Sequence, residues 1–140
     1  MSNKAIILDA NILIRAVLGK RVRELIIGNA KTVQFFAPDV AYVDARRHLP
    51  ALLEKRGVDR ESAMAVLDAL ESIVRPLELD VYAGMQTKAL QRISIRDADD
   101  WPVLACALTI SCPVWTEDAD FFGTGVAIWT TDRVDLYLAG

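Results

Sequence analysis

Apolar residues along this chain occur in short unbroken runs, which alternate with stretches of helical periodicity. The runs occupy residues 5–8, 32–36, 113–116 and 126–129, and a weaker one covers 77–79. Runs that are apolar throughout are typical of strands covered on both faces, and such strands occur mainly in parallel sheets. The pattern therefore predicts a central, mostly parallel sheet.

The stretches between these runs place apolar residues at helical spacing. Leu13, Ala16 and Val17 share one face, and residues 43–53 form a second helical segment with Val43 on its apolar face, which ends at Gly57. Residues 59–74 begin with Asp-Arg-Glu-Ser, a start that favours an N-capped helix, and residues 100–110 carry an apolar stripe. This order predicts a single α/β domain over residues 1–140, built as a three-layer α/β/α sandwich.

Length and composition exclude several classes of protein. The chain has 140 residues, 53% of them hydrophobic, and no apolar run approaches the roughly 18 residues of a membrane helix. Its N-terminus lacks the residue order of a signal peptide. Two cysteines, Cys106 and Cys112, are too few for a disulfide scaffold or a cysteine metal site. We expect a soluble cytoplasmic domain.

Charge is distributed unevenly along the chain. The net charge is −3, yet residues 1–96 carry 15 Lys or Arg against 11 Asp or Glu, whereas residues 97–132 carry seven Asp or Glu and no Lys or Arg. Short carboxylate side chains are ligands for hard metal ions. An ordinary solvated acidic face explains the same composition equally well. The positions of the acids must therefore distinguish a metal site from such a face.

Several acids follow predicted strands or begin predicted helices. Asp9 ends the first strand, and Glu117 and Asp118 end a later one. Ligands of open parallel sheets bind beyond the carboxyl ends of the strands, so these acids point into one crevice. Asp97 and Asp100 lie three residues apart at a helix start and share a face. Converging carboxylates raise one another's pKa or bind a cation, which indicates Mg²⁺ or Mn²⁺ and metal-assisted phosphoryl chemistry.

Each acid also has a purely structural interpretation. Asp97 and Asp100 can cap a helix, Asp44 can be a solvated helix residue, and Asp120 an ordinary loop residue. Receiver domains and haloacid-dehalogenase-type phosphatases also gather acids at strand ends, but they need a later lysine. The last lysine here is Lys88, well before the acidic strand end. Those two classes are therefore disfavoured.

Three segments, in order, resemble PIN-domain ribonucleases, including the VapC-type toxins of bacterial toxin–antitoxin pairs. They are Leu-Asp-Ala-Asn-Ile-Leu at 8–13, Asp100 ahead of Val-Leu-Ala-Cys-Ala-Leu at 103–108, and Val-Trp-Thr-Glu-Asp-Ala-Asp-Phe at 114–121. The resemblance implies a PIN-like sandwich that cleaves single-stranded RNA with Mg²⁺ or Mn²⁺. It also implies an antitoxin partner, which would place a basic side chain in the acidic crevice, and a homodimer.

The resemblance also assigns site residues. Asp9, Asp100 and Asp118 match the first, third and fourth acids of the family's metal site, and Asp44 stands where the family usually has Glu. This shorter carboxylate leaves open a second function, a PIN-like binding module without catalysis. The resemblance further suggests Asp97 as an extra acid, Asn11 as a polar partner of the first acid, and Thr116 as a member of the site.

Other residues are candidates for RNA contact or for the core. The only histidine, His48, lies four residues after Asp44 but is expected to be a surface or packed residue. Phe121 and Phe122 are expected in the core, and the tryptophans in the core or at the rim of the site. The candidate RNA contacts are Lys20, Arg21, Arg23, Arg46, Arg47, Lys55, Arg56, Lys88, Arg92 and Arg96.

Overall fold

Five parallel strands form one sheet in the computed structural model of the chain, which describes residues 4–93 and 97–140. The strand order is β3-β2-β1-β4-β5. The strands are β1 (Ala5–Leu8), β2 (Gln34–Pro38), β3 (Val74–Leu77), β4 (Val114–Trp115) and β5 (Ile128–Trp129). The predicted parallel sheet is confirmed.

Helices connect the strands and cover the sheet. They are α1 (Ala10–Leu18), α2 (Lys20–Gly28), α3 (Asp39–Arg56), α4 (Arg60–Leu70), α5 (Leu79–Tyr82), α6 (Gln86–Ile93), α7 (Trp101–Ile110) and α8 (Val134–Ala139), with 3₁₀ turns at Ala83–Met85, Ala98–Asp100 and Ala119–Phe121. No helix within the two described ranges is long and apolar enough to cross a membrane.

Strand β1 shows why both faces of the sheet are covered. Its side chains alternate between faces, as strand geometry requires. Ile6 and Leu8 belong to a core cluster with residues from α1 to α4 and α8, whereas Ile7 belongs to a second cluster with residues from α5 to α7. All three side chains are fully buried. The two clusters on opposite faces confirm the three-layer α/β/α sandwich.

Helix α3 begins directly after β2 and ends at Gly57. The backbone of Gly57 has φ 65°, a left-handed conformation that suits glycine at the end of a helix. The buried face of α3 consists of Ala41, Tyr42, Ala45, Leu49 and Leu53. The expectation for Val43 is wrong, because its side chain is on the outer face and 53% exposed.

The segment that the periodicity assigns to one helix over residues 59–74 contains both a helix and the start of a strand. Helix α4 is capped by Asp59, as expected, but ends at Leu70, and Val74 pairs with Phe35 of β2. The third strand is thus β3, which overlaps the weak candidate at 77–79 only at Leu77. Its Pro76 is tolerated because β3 lies at the edge of the sheet.

The strand order creates a crevice at the centre of the sheet. From β1 the chain adds β2 and then β3 on one side, and later adds β4 and β5 on the other side of β1. The carboxyl ends of β1 and β4 therefore border the point where the direction of strand addition reverses. Ligands of open α/β sheets bind at such a point.

Candidate active site

Asp9 lies at this reversal point, between the end of β1 and the start of α1. It is the N-cap of α1, and its Oδ1 accepts a hydrogen bond from the backbone N–H of Ile12 at 3.0 Å. Because β1 is covered on both faces, Asp9 is only 8% exposed. Burial raises the pKa of Asp9, hydrogen bonds from Thr116 and Ile12 partly oppose this effect, and the nearby charges of Asp118 and Glu117 add to it.

Thr116 connects Asp9 with the neighbouring strand end. Leu8 pairs with Trp115 in the sheet, so the next residues, Asp9 and Thr116, also lie side by side. The hydroxyl of Thr116 donates to Asp9 Oδ2 and accepts from the backbone N–H of Asp118 at 3.0 Å. The Thr116 side chain is completely buried. One hydroxyl therefore sets the relative positions of two strand-end acids.

Asp118 begins a 3₁₀ turn that carries a further acid. Its Oδ1 accepts a hydrogen bond from the backbone N–H of Asp120 at 2.9 Å. The turn directs Asp120 back toward the start of α7, where its carboxylate lies close to those of Asp97 and Asp100.

Asp97 directly precedes the 3₁₀ turn before α7, and Asp100 is the last residue of that turn. Asp97 caps this turn, with Oδ1 accepting from the backbone N–H of Asp99 at 3.1 Å. Asp100 Oδ2 is buried and receives no hydrogen bond from the described residues. Burial, followed by the charges of Asp97 and Asp118, raises the pKa of Asp100 to about 7; a hydrogen bond from the protonated carboxyl to Asp118 and the charge of Asp9 act in the same direction.

These acids form one group, which we call the acid cluster. One carboxylate oxygen each from Asp97, Asp100 and Asp120 lies within 4.8 Å of the other two. Asp9 and Asp118 adjoin this trio, because both act on the charge state of Asp100. The acid cluster consists of Asp9, Asp97, Asp100, Asp118 and Asp120. Closely spaced carboxylates with a buried oxygen lacking a donor fit a hard divalent cation, which takes oxygen ligands.

Two other predicted site residues are not among the members of the acid cluster. Asn11 is exposed on the first turn of α1. Asp44 is on α3, its side chain is 47% exposed, and its carboxylate pairs with Arg47 at 3.7 Å. Asp44 is not among the described charges that act on Asp9 or Asp100. The structure therefore does not bring Asp44 into the group, and its role as a metal ligand stays a prediction.

Three further acids lie near the crevice; the sequence predicts Glu117 and Asp120 there without assigning them to the metal site, and it gives no sign of Asp39. Asp120, for which the sequence also allows an ordinary loop position, joins the acid cluster; its backbone N–H donates to the carboxylate of Asp118, two residues earlier. Asp39 follows β2, the other neighbour of β1, and accepts a hydrogen bond from the Tyr82 hydroxyl at 2.6 Å. Glu117 accepts from the backbone N–H of Thr131 at 3.0 Å, so it connects the loops that follow β4 and β5.

The expectations for the aromatic residues are partly wrong. Phe121 is fully buried, whereas Phe122, the extended residue after the 3₁₀ turn, is 52% exposed. Trp115 is fully buried. His48 is exposed on α3, as a surface residue would be, and Arg96 lies outside the described residues.

A profile of the PIN domain family matches residues 7–139, nearly the entire chain. The chain therefore belongs to the PIN-domain family. A comparison with curated proteins finds no match.

Solved structures share this fold at low sequence identity. PAE2754 from Pyrobaculum aerophilum is 17% identical, with a TM-score of 0.73 over 97% of this chain and 90% of that one. VapBC2 from Rickettsia felis, solved bound to a DNA fragment from their promoter, is 15% identical, with a TM-score of 0.62 over 90% and 98%. FitAcB from Neisseria gonorrhoeae is 20% identical, with a TM-score of 0.63 over 90% and 97%.

Proposed function

We propose that this PIN-domain protein is a ribonuclease that cleaves single-stranded RNA with the help of Mg²⁺ or Mn²⁺. The observation that carries the proposal is the acid cluster at the central crevice of a parallel sheet, together with the buried Asp100 Oδ2 that has no donor among the described residues. PIN domains are generally nucleases, which agrees with this chemistry.

The residues that would hold the metal follow from the geometry and from the family pattern. Asp9, Asp100 and Asp118 are the proposed ligands, with Asp44 as the fourth acid of the pattern. Asp97 and Asp120 join them because their carboxylates lie beside Asp100. When bound, the ion would polarise the scissile phosphate and lower the pKa of a bound water.

The chain's own contribution is positioning and charge, which phosphoryl transfer chiefly requires. The sheet and the Thr116 hydroxyl fix the Asp9 carboxylate, and the two 3₁₀ turns fix Asp97, Asp118 and Asp120. Without a cation these carboxylates repel an RNA phosphate, so RNA can occupy the crevice only when the negative charge is compensated. The acid cluster therefore supports metal-dependent cleavage.

The proposal is tested with a fluorescent single-stranded RNA in Mn²⁺ and in EDTA. Asp9→Asn is expected to reduce cleavage by at least 100-fold, an effect of the size seen when an active site loses one group that stabilises the transition state electrostatically. Asp59→Asn is the matched control, because Asp59 also caps a helix but is exposed and is not a member of the acid cluster. Asparagine caps helices well, so both variants should fold.

Two results contradict the nuclease. They are full activity in EDTA and wild-type cleavage by Asp9→Asn. If the wild-type protein binds RNA but does not cleave it in any divalent metal, the catalytically inactive PIN-like binding module is the correct function.

We further propose that the protein is the toxin of a toxin–antitoxin pair and that it forms a homodimer. The structural neighbours include VapBC2 and FitAcB, whose folds it shares. The proposed antitoxin places a basic side chain against the acid cluster, where it would replace the cation. Co-expression with the product of the adjacent reading frame should give a stable complex, should abolish cleavage and should relieve any arrest of growth.

A further inference from the structure

A groove lined by positive side chains lies at the end of α1 that is remote from Asp9. It is open to solvent and has a volume of about 500 Å³. We call it the cationic groove; it is lined by Arg15, Leu18, Gly19, Lys20, Arg21, Val22, Arg56 and Thr131. Four of these eight residues are Lys or Arg, and none is Asp or Glu. A larger groove between α3 and α5 has the opposite character, with Asp39, Glu71, Glu78 and Asp80 around a single Arg46.

The charges of the cationic groove are available for a ligand. Lys20 pairs with Glu24 at 3.7 Å and Arg21 with Asp135 at 3.9 Å, but these side chains are between 49% and 81% exposed. Exposed ion pairs at such distances contribute little to stability, so Lys20 and Arg21 can pair with another anion instead. Within the described part of the chain, neither Arg15 nor Arg56 takes part in an ion pair.

Other candidate RNA contacts are already used by the fold. Arg23 donates to the carbonyls of Ala16 and Val17 at the end of α1. Arg46 pairs with Asp68 and Glu71, at 2.9 and 2.8 Å. Arg92 donates to the carbonyl of Thr124. The structure therefore separates the cations that stabilise the fold from those that line the cationic groove.

Two elements join the cationic groove to the acid cluster. Helix α1 begins next to Asp9 and has nine residues, so it spans roughly 14 Å, at about 1.5 Å per residue. Asn11, Arg15 and Leu18 follow one another on a single face of this helix. Thr131, which also lines the cationic groove, donates its backbone N–H to Glu117, the residue before Asp118. Helix α1 and the hydrogen bond from Thr131 to Glu117 therefore connect the cationic groove with the residues next to the acid cluster.

We propose that the cationic groove binds backbone phosphates of the single-stranded RNA on one side of the cleaved bond. The inference rests on the proposed nuclease function and adds the path of the substrate. Proteins that bind single-stranded nucleic acid without sequence preference use a positively charged groove along the backbone together with aromatic side chains for the bases; the cationic groove offers the first of these two features. Arg and Lys both bind phosphate, and Arg does so with two parallel hydrogen bonds. The groove holds the strand while the acid cluster performs the chemistry.

Two double variants test the path. Lys20→Gln with Arg56→Gln removes two groove cations; Lys31→Gln with Arg60→Gln removes the same residue types from exposed positions outside it. The substrates are a dodecamer of uridine and a dinucleotide, which is too short to occupy both the acid cluster and the cationic groove. Affinity for the dodecamer is measured in the Asp9→Asn background as a function of salt concentration.

For the dodecamer, the groove variant should raise KM by about tenfold and change kcat by less than about twofold. Its plot of log affinity against log salt should become shallower by about 1.4, since each contact to a single strand contributes about 0.7. The control variant should retain the wild-type KM and the wild-type salt dependence, which is steeper than that of the groove variant. On the dinucleotide, the two variants should behave alike.

The outcomes separate this proposal from the nuclease itself. If the wild-type protein cleaves RNA but the groove variant has the control's KM and salt dependence, the cationic groove does not bind the strand. If no variant cleaves but the groove variant alone loses affinity for the dodecamer, the path stands and the nuclease fails. A large fall in kcat with an unchanged KM would also overturn the path.

Discussion

The Thr116 hydroxyl holds a buried carboxylate that would otherwise have too few donors. It donates to Asp9 Oδ2 and accepts from the backbone N–H of Asp118, so it acts on two acids of the acid cluster at once. Removal of one partner of a buried hydrogen bond costs more than the bond itself contributes, because the remaining group is desolvated and unpaired. We therefore assign Thr116 as a positioning residue.

Thr116→Val should lower the free energy of unfolding by about 1–3 kcal/mol, since it leaves Asp9 Oδ2 without this donor. Loss of a hydrogen bond that lowers the pKa of Asp9 should also move the acidic limb of the pH–rate profile to higher pH. Thr116→Ser, which retains the hydroxyl, should restore both properties. Urea unfolding and the pH profile of cleavage check this. A Ser variant as impaired as the Val variant would show that the methyl group, and not the hydroxyl, matters.

The residue positions that the sequence could predict are those fixed by strand ends. Asp9 and Asp118 lie together because a charged residue directly after an apolar run marks the carboxyl end of a strand. Asp120 reaches the group through a 3₁₀ turn, whose three-residue length leaves no periodicity to detect. Asp44 occupies the expected helix, but the direction of its side chain depends on the packing of α3 and on Arg47.

The elements could be predicted where their hydrophobic pattern is strong. The four longer apolar runs all contain strands, and the helix after β2 ends at Gly57 as expected. The boundary between α4 and β3 could not be predicted, because Leu70, Ile73 and Val74 also fit a helical spacing. The strand pairing of Val74 with Phe35 sets this boundary, and the two residues are 39 positions apart in the chain.

Two glycines at the ends of helices should respond oppositely to alanine. Gly57 has φ 65°, and Gly28 has no such constraint; an added Cβ meets no atom within 4 Å at either position. Gly57→Ala should therefore lower the free energy of unfolding by about 1 kcal/mol through backbone strain alone. Gly28→Ala, in the last residue of α2, should raise it by up to about 1 kcal/mol. If both alanine variants change the free energy of unfolding equally in denaturant, the positive φ of Gly57 does not disfavour alanine at that position.

For the whole molecule, the acid cluster opposes folding when no cation compensates it. The pKa of Asp100 in the folded protein is about 7, against about 3.9 for an unfolded chain. A carboxyl with a raised pKa destabilises the fold only when it is ionised. The resulting loss of free energy of unfolding is absent below about pH 4, grows as the pH rises toward the pKa of the folded protein, and is complete above that pKa. Metal-free protein should thus lose stability between pH 4 and 8 through this residue.

Asp100→Asn removes that cost while retaining the size of the side chain. In EDTA at pH 8, the variant should be more stable than the wild type by about 1 kcal/mol, after allowance for solvent screening of a half-buried group. At pH 4 the two proteins should be equally stable.

Mn²⁺ at 100 times its Kd should stabilise the wild type by about 2.7 kcal/mol, which is roughly 9 °C for a domain of this length, because the ion binds only the folded state. The variant should gain much less. Thermal melts of both proteins at pH 4 and 8 in EDTA, and at pH 8 in Mn²⁺, measure all three differences. If Asp100→Asn melts below the wild type in EDTA and both proteins gain equally from Mn²⁺, Asp100 stabilises the start of α7 instead of binding the metal, and Asp9 and Asp118 must hold the ion without it.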